Sequence, residues 1–304
     1  MPSPRVAAPL YMNLYYHPDY CRPELDFATT RKASWVYADI LANPLLGITW
    51  MEPAPVNEAQ LALVHTAEYI NAIKTGKAGA LARSSGLKWD AGVWKAVTRS
   101  TGGAVEAALD ALKNRKNTGS LSSGLHHARR GVGAGFCTFN GLALAAKEAL
   151  LAGAQRVLIL DLDAHGGGGT HRIIKDEPRN VQLDLMTCDY DDYWAHAPSV
   201  CRLVKNAESY LPLLTSHLRE LAAIHFDLCL YNAGVDPHED DEVGGISGIT
   251  AELLQRRDAA VFNWARRRDV PVSFVLAGGY PNAKHTQAAV VALHRQTVAA
   301  AMGL

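Results

Sequence analysis

The sequence predicts an α/β fold in one domain over residues 1–304, with a central, mostly parallel sheet and helices on both of its faces. Short apolar runs of strand length recur along the chain, and segments with helical periodicity lie between them. Runs without polar alternation are typical of strands buried on both faces. A regular succession of strand and helix predicts βαβ units and a doubly wound sheet.

The predicted elements follow in chain order. The first predicted helix is 99–113, where apolar residues recur at helical spacing. A second helix begins near Asn140, a favourable N-cap, and ends before Gly153, while a third begins at Thr250. The predicted strands are RVLIL at 156–160, VQLDLM at 181–186, FDLCLY at 226–231 and VPVSFVLA at 270–277.

Charge and composition exclude several classes of function. Thirty Lys and Arg balance thirty Asp and Glu, so no net field draws the protein to nucleic acid or to an anionic membrane. Five scattered cysteines without a CxxC pair argue against a disulfide framework and a thiolate zinc site, and they favour a reducing cytoplasm. No apolar run reaches the roughly 18 residues of a membrane span. Residues 1–16 lack the apolar region of a signal peptide.

Three of the predicted strands end in polar or glycine-rich segments. Ligands of open parallel sheets bind beyond the carboxyl ends of the strands, so these segments mark one expected site. The residues are Asp161, Asp163 and His165 after the first strand, Asn232 and Asp236 after the third, and Gly278, Gly279 and Tyr280 after the fourth.

The pattern around Asp163 and His165 favours a metal site. These residues are two positions apart, so at an extended strand end their side chains point to the same side and can bind one ion. Asp236 can complete the set from a neighbouring strand. Two carboxylates and one imidazole leave a position open for water, as in a catalytic zinc site. A lone D-x-H is more often a helix cap and a buried histidine, but the surrounding residues favour metal binding.

Two further features accompany this pattern. Asp161 lies on the same strand face as Asp163, and the adjacent His126 and His127 can neutralise these carboxylates and transfer protons at neutral pH. Gly166 to Gly169 are interpreted as a tight strand-to-helix turn. A phosphate-binding loop is the rival interpretation, but the run lacks the GK[ST] ending of a P-loop and the acidic partner of a GxGxxG site.

Several longer segments occur in a characteristic order. They are VHTAEYI, SGLHHARRGVGAGFCTFNG, VLILDLDAHGGGGT, LYNAGVDPHEDDEVGGISGIT and VLAGGY. Together they resemble the histone deacetylase superfamily, which includes the acetylpolyamine amidohydrolases, over roughly residues 60 to 285. The pieces DLDAH, YNAGVD, GGISG with RRDAAVF, and STGGA are most similar to class IV histone deacetylases.

The resemblance implies an arginase-like α/β fold and one zinc ion held by Asp163, His165 and Asp236. In such an enzyme a zinc-bound water attacks the amide carbonyl of an acylated amine. The expected reaction removes acetyl or longer fatty acyl groups from the ε-amino group of lysine in proteins. Deacetylation of polyamines, or of another small acylated amine, is the alternative. The family also implies a potassium ion bound by main-chain carbonyls near Asp161 to His165.

The resemblance assigns roles to individual residues. His127 matches the general base and acid, and His126 matches its partner histidine, which pairs with Asp161. Tyr280 matches the tyrosine whose hydroxyl donates to the carbonyl oxygen, and removal of one such donor usually costs about 2.7–4 kcal/mol of transition-state stabilisation. The residues predicted to line the substrate tunnel are Gly135, Phe136, Gly278 and Gly279.

The chain departs from the family in its glycine run. Gly168 stands where the family has an acid or amide that supports the second histidine. Without a neighbouring carboxylate the pKa of His127 should not be raised, and a water or another side chain would fill the gap. His171 could substitute by geometry, although we expect it on the surface of the following helix.

Two other classes of function compete with amide hydrolysis by one zinc ion. Ureohydrolases share a DAH segment, but their second manganese ion needs two further acidic ligands, where this chain has Gly167 and His238. A domain that binds acyl ligands without turnover is conceivable because of Gly168. Every group that the expected chemistry uses is nevertheless present, so hydrolysis is the prediction.

The loops at 17–30, 84–95 and 188–200 form the expected substrate rim. These loops either bind a cationic or peptidic substrate or form ordinary protein surface. Asp90 is a candidate for a contact to the substrate backbone. The aromatic and acidic residues concerned are Trp89, Asp90, Tyr190, Asp191, Asp192, Tyr193 and Trp194.

Overall fold

The computed structural model describes residues 11–22 and 27–304. Within them the strands are β1 (Met12–Tyr15), β2 (Ile48–Met51), β3 (Thr118–Ser123), β4 (Val157–Asp161), β5 (Asn180–Met186), β6 (Val200–Leu203), β7 (Leu228–Ala233) and β8 (Val272–Leu276). They form one sheet in the order β2-β1-β3-β8-β7-β4-β5-β6. Every neighbouring pair is parallel. The predicted α/β class with a parallel sheet is therefore confirmed.

Most helices of the described residues lie between these strands in the sequence, and the last one follows β8. They are α1 (Lys32–Ala42), α2 (Glu58–Leu61), α3 (Ala67–Thr75), α4 (Gly79–Ala82), α5 (Val93–Asn114), α6 (Gly141–Leu151), α7 (Gly168–Ile174), α8 (Ala207–Leu221), α9 (Ala251–Arg267) and α10 (Gln287–Ala301). Asn140 and Thr250 cap α6 and α9 with their side chains, as predicted. The helix predicted over residues 99–113 is present as part of α5, but α5 begins six residues earlier, at Val93.

Two hydrophobic layers cover the two faces of the sheet. On β4, Leu158 and Leu160 belong to one layer while Val157 and Ile159 belong to the other, because successive side chains of a strand point to opposite faces. The first layer includes residues of α1, α8, α9 and α10. The second includes residues of α3, α5 and α6. Helices therefore cover both faces, as predicted.

The order of the strands places the predicted site. The four neighbouring strands β3, β8, β7 and β4 all end at the same edge of the sheet, since all are parallel. The sequence predicted three of these strands and missed β3. Its sequence, TGSLSS, is small and polar and lacks an apolar run, although five of its six residues are buried. The segment with His126 and His127 directly follows β3.

Some predictions fall partly outside the described residues. Residues 1–10, which belong to the signal-peptide prediction, and residues 23–26 of the first rim loop are not described. In the part of the chain that the structure describes, no helix combines the length and the apolar character needed to cross a bilayer.

A buried ionic network ties two strand ends together behind the site. The fully buried Arg257 on α9 donates to the main-chain oxygens of Leu162 and Gly234, at 3.2 and 2.5 Å. It also pairs with Asp258 at 2.9 Å. Because Leu162 and Gly234 lie within two residues of the predicted metal ligands that follow β4 and β7, Arg257 fixes the spacing of these two segments.

Replacement of Arg257 by methionine is expected to lower the free energy of unfolding by about 3–5 kcal/mol, because it leaves the Asp258 carboxylate buried without its cation. Urea denaturation of the variant against the wild type measures this difference. Arg256→Met is the matched control, since this neighbouring arginine is exposed. Equal losses in the two variants would contradict the role of the network.

Candidate active site

The ends of β4 and β7 bring three side chains with metal-binding atoms together. One ligand atom each of Asp163, His165 and Asp236 lies within 4.8 Å of the others, and all three residues are buried. His165 Nδ1 lies 3.1 Å from an oxygen of Asp163 and 3.1 Å from Oδ2 of Asp236. Oδ2 of Asp236 is buried yet accepts no well-directed hydrogen bond. Such an unsatisfied oxygen beside a second carboxylate and an imidazole fits one divalent cation with an open coordination position.

The charges of this triad favour a cation. Although burial opposes ionisation, His126 and His165 hold the pKa of Asp163 well below its usual range. Burial and the neighbouring Asp163 raise the pKa of Asp236 to about 6. Burial alone would lower the pKa of His165, but the two carboxylates raise it to about 12. Among the described residues no other group of at least three acidic, histidine or cysteine side chains meets in this way, so a second metal ion lacks its ligands.

Gly278 braces the triad from the end of β8. Its amide donates to Oδ2 of Asp163 at 2.6 Å, and a Cβ at this position would lie 1.9 Å from Oδ2 of Asp236. A Cβ on Gly279 would lie 2.7 Å from the Val235 side chain and 3.2 Å from that of His294. Neither glycine is among the residues that line the cavity above the triad. Gly278 therefore packs directly against the predicted metal ligands, and the assignment of both glycines to the substrate tunnel stays a prediction.

The segment after β3 brings the two adjacent histidines beside the triad. His126 donates from Nδ1 to Oδ2 of Asp161 at 2.8 Å, and Asn232 donates to the other oxygen of this carboxylate at 2.9 Å. Burial disfavours a charged ring, but Asp161 and Asp163 outweigh it and raise the pKa of His126 to about 9. His126 thus carries positive charge at neutral pH.

His127 has an unexpected partner. Its Nδ1 lies 3.1 Å from Oδ2 of Asp191, whose side chain is 1% exposed. The sequence suggested a rim or surface role for Asp191, so that interpretation is wrong. Burial and the charged His126 outweigh this carboxylate and lower the pKa of His127 to about 4. The sequence offered no signal for the pairing beyond the acidic composition of the loop.

His171 occupies neither of its two predicted positions. It is 8% exposed and stacks on Tyr193 with the ring centroids 4.1 Å apart. It therefore lies inside the protein, and Asp191 fills the place beside His127. The aromatic stacking explains the burial, and burial lowers the pKa of His171 to about 4.

A cavity of about 550 Å³ opens above the triad. His127, His165 and Tyr280 are among the residues that line it. The amide of Tyr280 donates to Oδ2 of Asp241 at 2.8 Å, which fixes this backbone position. Burial and the nearby carboxylates raise the pKa of the Tyr280 hydroxyl well above its usual value, so this group stays a hydrogen-bond donor at neutral pH. The other lining residues are Ser84, Ser85, Gly86, Ala134, Gly135, Phe136, Cys188, Tyr190 and Val243.

The residues of the predicted rim loops have different roles in the structure. Tyr190 lines the cavity, and its ring packs edge-on against His127 at 4.9 Å between centroids. Trp194 is 83% exposed. Trp89 instead supports the fold, because its Nε1 donates to the carbonyl of Ile73 at 2.8 Å. Asp90 accepts from the amide of Gly92 at 2.7 Å and is not among the residues lining the cavity.

Lys32 is a buried lysine close to the triad that the sequence did not single out. Its ammonium donates to the carbonyl of Ala277. Burial lowers its pKa, while Asp236 and Asp163 oppose this effect. An isolated lysine at the start of a helix has no pattern that distinguishes it from a surface residue. The predicted potassium ion stays a prediction.

A buried histidine of the VHTAEYI segment supports the loop that carries the histidine pair. His65 Nδ1 lies 3.0 Å from the carbonyl of Arg129, and its Nε2 accepts from the amide of Asn140 at 3.0 Å. The Asn140 side chain in turn donates to the carbonyls of Ala128 and His126. Both ring nitrogens of His65 are therefore engaged only when the ring is neutral.

The protein is expected to lose stability as the pH falls from about 6.5 to 4. Burial lowers the pKa of His65 to about 4, so the unfolded chain binds its proton first and the native state is penalised by about 3 kcal/mol at the acid end. This contribution is fully present above pH 6.5. Urea denaturation at several pH values measures it, and His65→Gln should reduce the loss of unfolding free energy between pH 6.5 and 4 by about 3 kcal/mol.

His225→Gln is the control for this titration, because the His225 side chain is 73% exposed. It should keep the wild-type dependence on pH. An unchanged dependence in His65→Gln would show that His65 does not contribute to the loss of stability at acid pH.

The comparison with known protein families agrees with this geometry. Residues 28–193 match the sequence model of the histone deacetylase domain. The chain belongs to the histone deacetylase family. The predicted membership of this superfamily of deacetylases is thus confirmed, while the class IV assignment stays a prediction.

Relatives of this histone deacetylase family member cover most of the chain. An uncharacterized protein of Picosynechococcus sp. is 33% identical over 280 residues, which is 89% of this chain and 92% of the relative. Histone deacetylase 2 of Arabidopsis thaliana is 29% identical over 247 residues, 76% of this chain. The match spans only 63% of the plant protein. The crystal structure of the HDA15 HD domain superposes with a TM-score of 0.84 at 20% identity, covering 97% of this chain and 89% of the other.

Proposed function

We propose that this protein is a zinc-dependent deacylase that removes acetyl or longer fatty acyl groups from the ε-amino group of lysine in proteins. One observation carries the proposal: the metal triad, the histidine pair and Tyr280 follow four neighbouring strands at one edge of the sheet, and His127, His165 and Tyr280 line one cavity there. We assign the activity to one catalytic domain over residues 1–304. A cytoplasmic location and the absence of nucleic-acid binding stay predictions.

Asp163, His165 and Asp236 would hold the zinc ion. The buried, unsatisfied oxygen of Asp236 supports this assignment, and so does the donor set of two carboxylates and one imidazole. When bound, zinc supplies Lewis acidity toward an amide carbonyl and a water molecule.

The chain's own residues then carry the proton transfers. Because Nδ1 of His127 is engaged by Asp191, Nε2 is the ring atom left to take a proton from water and to deliver it to the leaving amine. His126 stays charged through Asp161 and stabilises the negative charge that develops nearby. The Tyr280 hydroxyl donates to the carbonyl oxygen as that oxygen gains charge.

The cavity walls favour a slender, uncharged chain. Phe136, Tyr190 and Val243 are 41, 47 and 46% exposed and give the entrance apolar sides. None of the described residues lining the cavity is a carboxylate, apart from the metal ligands beneath it. A polyamine would bring a second ammonium group into this entrance without a counter-charge. Acyl-lysine in a protein, whose distal groups are neutral backbone, therefore fits better.

A second cavity supports longer acyl groups. It measures about 130 Å³ and shares Phe136 with the main cavity. Leu87, Val97, Leu121 and Leu125 are among its lining residues. The lining also includes polar side chains, among them Lys32 and Thr138, and its apolar part would accommodate methylene groups beyond the acetyl carbon.

Kinetic profiling of the zinc-loaded protein tests the proposal. Three substrates are compared: an acetyl-lysine peptide, a long-chain acyl-lysine peptide and an acetylated polyamine. We expect turnover of both peptides with a higher kcat/KM than for the polyamine. A preference for the polyamine would overturn the substrate assignment. Binding of all three without turnover would identify a non-catalytic acyl-binding domain.

A further inference from the structure

The loop between β5 and β6 reaches the predicted general base from a distant part of the sequence. Asp191 and His127 are 64 positions apart, yet Oδ2 of Asp191 lies 3.1 Å from Nδ1 of the ring. A carboxylate can only accept a hydrogen bond, so this contact places the proton of a neutral His127 ring on Nδ1. Nε2 then keeps its lone pair.

Asp191 is held in this position by a set of donors. Arg129 and Arg172 donate to its Oδ1 at 3.1 and 2.8 Å. The amide of Gly169 donates to Oδ2 at 3.0 Å. These contacts keep Asp191 ionised and offset its left-handed backbone conformation, with φ of 56°. With His127, the Asp191 carboxylate has four hydrogen-bond partners and therefore one defined orientation.

The missing side chain at position 168 makes room for this carboxylate. A Cβ on Gly168 would lie 2.4 Å from the carbonyl oxygen of Asp191 and 2.7 Å from its Oδ1. It would also lie 2.5 Å from Nη1 of Arg172. A side chain at 168 and the observed position of Asp191 therefore exclude each other. The absence of a side chain at Gly168 at first suggested that His127 lacks a supporting group. It instead leaves the space in which Asp191 approaches His127.

We propose that Asp191 is the positioning residue of His127: its carboxylate fixes the ring orientation and the Nδ1–H tautomer from the loop that also supplies Tyr190 to the cavity wall. The inference rests on the proposed function for the role of His127 in proton transfer. The contact itself does not depend on that function. Because one short loop carries both residues, Tyr190 contributes to substrate binding and Asp191 to turnover.

The first measurement is the tautomer of His127, read from ¹⁵N chemical shifts of histidine-labelled, zinc-loaded protein. We expect the Nδ1–H form in the wild type. In Asp191→Ala the ring loses its acceptor and both tautomers become populated. In Asp191→Asn the amide can donate to Nδ1, which favours the Nε2–H form. The wild-type tautomer retained in both variants would overturn the proposal, whether or not the protein turns over a substrate.

The second measurement is steady-state kinetics on the acyl-lysine peptide that the wild type turns over best. Loss of a partner that orients an active-site histidine should lower kcat about 10- to 100-fold and leave KM nearly unchanged. Asp192→Ala is the matched control, because Asp192 is an exposed acid in the same loop. Equal kcat values in Asp191→Ala and Asp192→Ala would contradict a positioning role. An inactive wild type would instead contradict the proposed function, and the tautomer would still decide the role of Asp191.

A relocation experiment separates positioning from folding. Gly168→Asp alone should displace the loop, because its side chain collides with Asp191. The Asp191→Gly background removes the side-chain collision and gives the loop the backbone freedom to move its carbonyl oxygen away from residue 168, so the double variant should recover part of the kcat and the Nδ1–H tautomer relative to Asp191→Gly. No recovery of either, in a double variant with the far-UV circular dichroism of the wild type, would count against the proposal.

Discussion

His127→Ala is expected to lower kcat for deacylation by about two to four orders of magnitude, the usual contribution of a general acid–base catalyst. The variant keeps the metal triad but has no group at this position to move a proton. Tyr280→Phe removes one hydrogen-bond donor to the developing oxyanion and should cost about two to three orders of magnitude in kcat. Steady-state turnover of an acyl-lysine peptide at saturating concentration gives both kcat values.

Two controls separate these losses from general damage. His196 is exposed and Tyr11 is 63% exposed, so His196→Ala and Tyr11→Phe should retain full activity. All four variants should bind as much zinc as the wild type. Full activity in both His127→Ala and Tyr280→Phe would end the proposal of this mechanism. Loss of zinc in either variant would show that the residue supports the metal instead.

The second large effect on activity is expected when a metal ligand is removed. The wild type should bind one zinc ion per chain, and Asp236→Ala should abolish stoichiometric binding together with activity, because only two of the three protein donors remain. Elemental analysis after gel filtration counts the metal. Glu242→Ala is the matched control, an exposed acid in the same loop. Two manganese ions per chain would support the ureohydrolase alternative.

Gly278→Ala tests the same site without changing a ligand. Its Cβ would overlap the Asp236 carboxylate, so we expect zinc affinity to fall about 10- to 100-fold, as for other changes that misplace ligands. Gly131→Ala is the control, because a Cβ at 131 would meet only Thr66, at an ordinary 3.6 Å. Unchanged affinity in Gly278→Ala would show that the strand end can relax and that the close fit is unimportant.

Local patterns account for what the sequence predicted well. The apolar runs of β4, β5, β7 and β8 were recognised because strands buried on both faces lose their polar alternation. The two-residue spacing of Asp163 and His165 predicted their common orientation for the same geometric reason. Strands β1, β2 and β6 were missed because each has only four residues, too few to establish a period.

The sequence by itself determined the class of the fold, the edge of the sheet that carries the site and the three side chains that meet there, because these follow from the repeat of strands and from spacing within one strand. Only the tertiary structure decided that Asp191 contacts His127, that His171 is buried and that Gly278 packs against the carboxylates of Asp163 and Asp236. Each of these depends on how a loop or strand end packs against a segment far away in the chain. No periodicity or local spacing encodes such a contact, since it is set by the volumes that neighbouring side chains leave free.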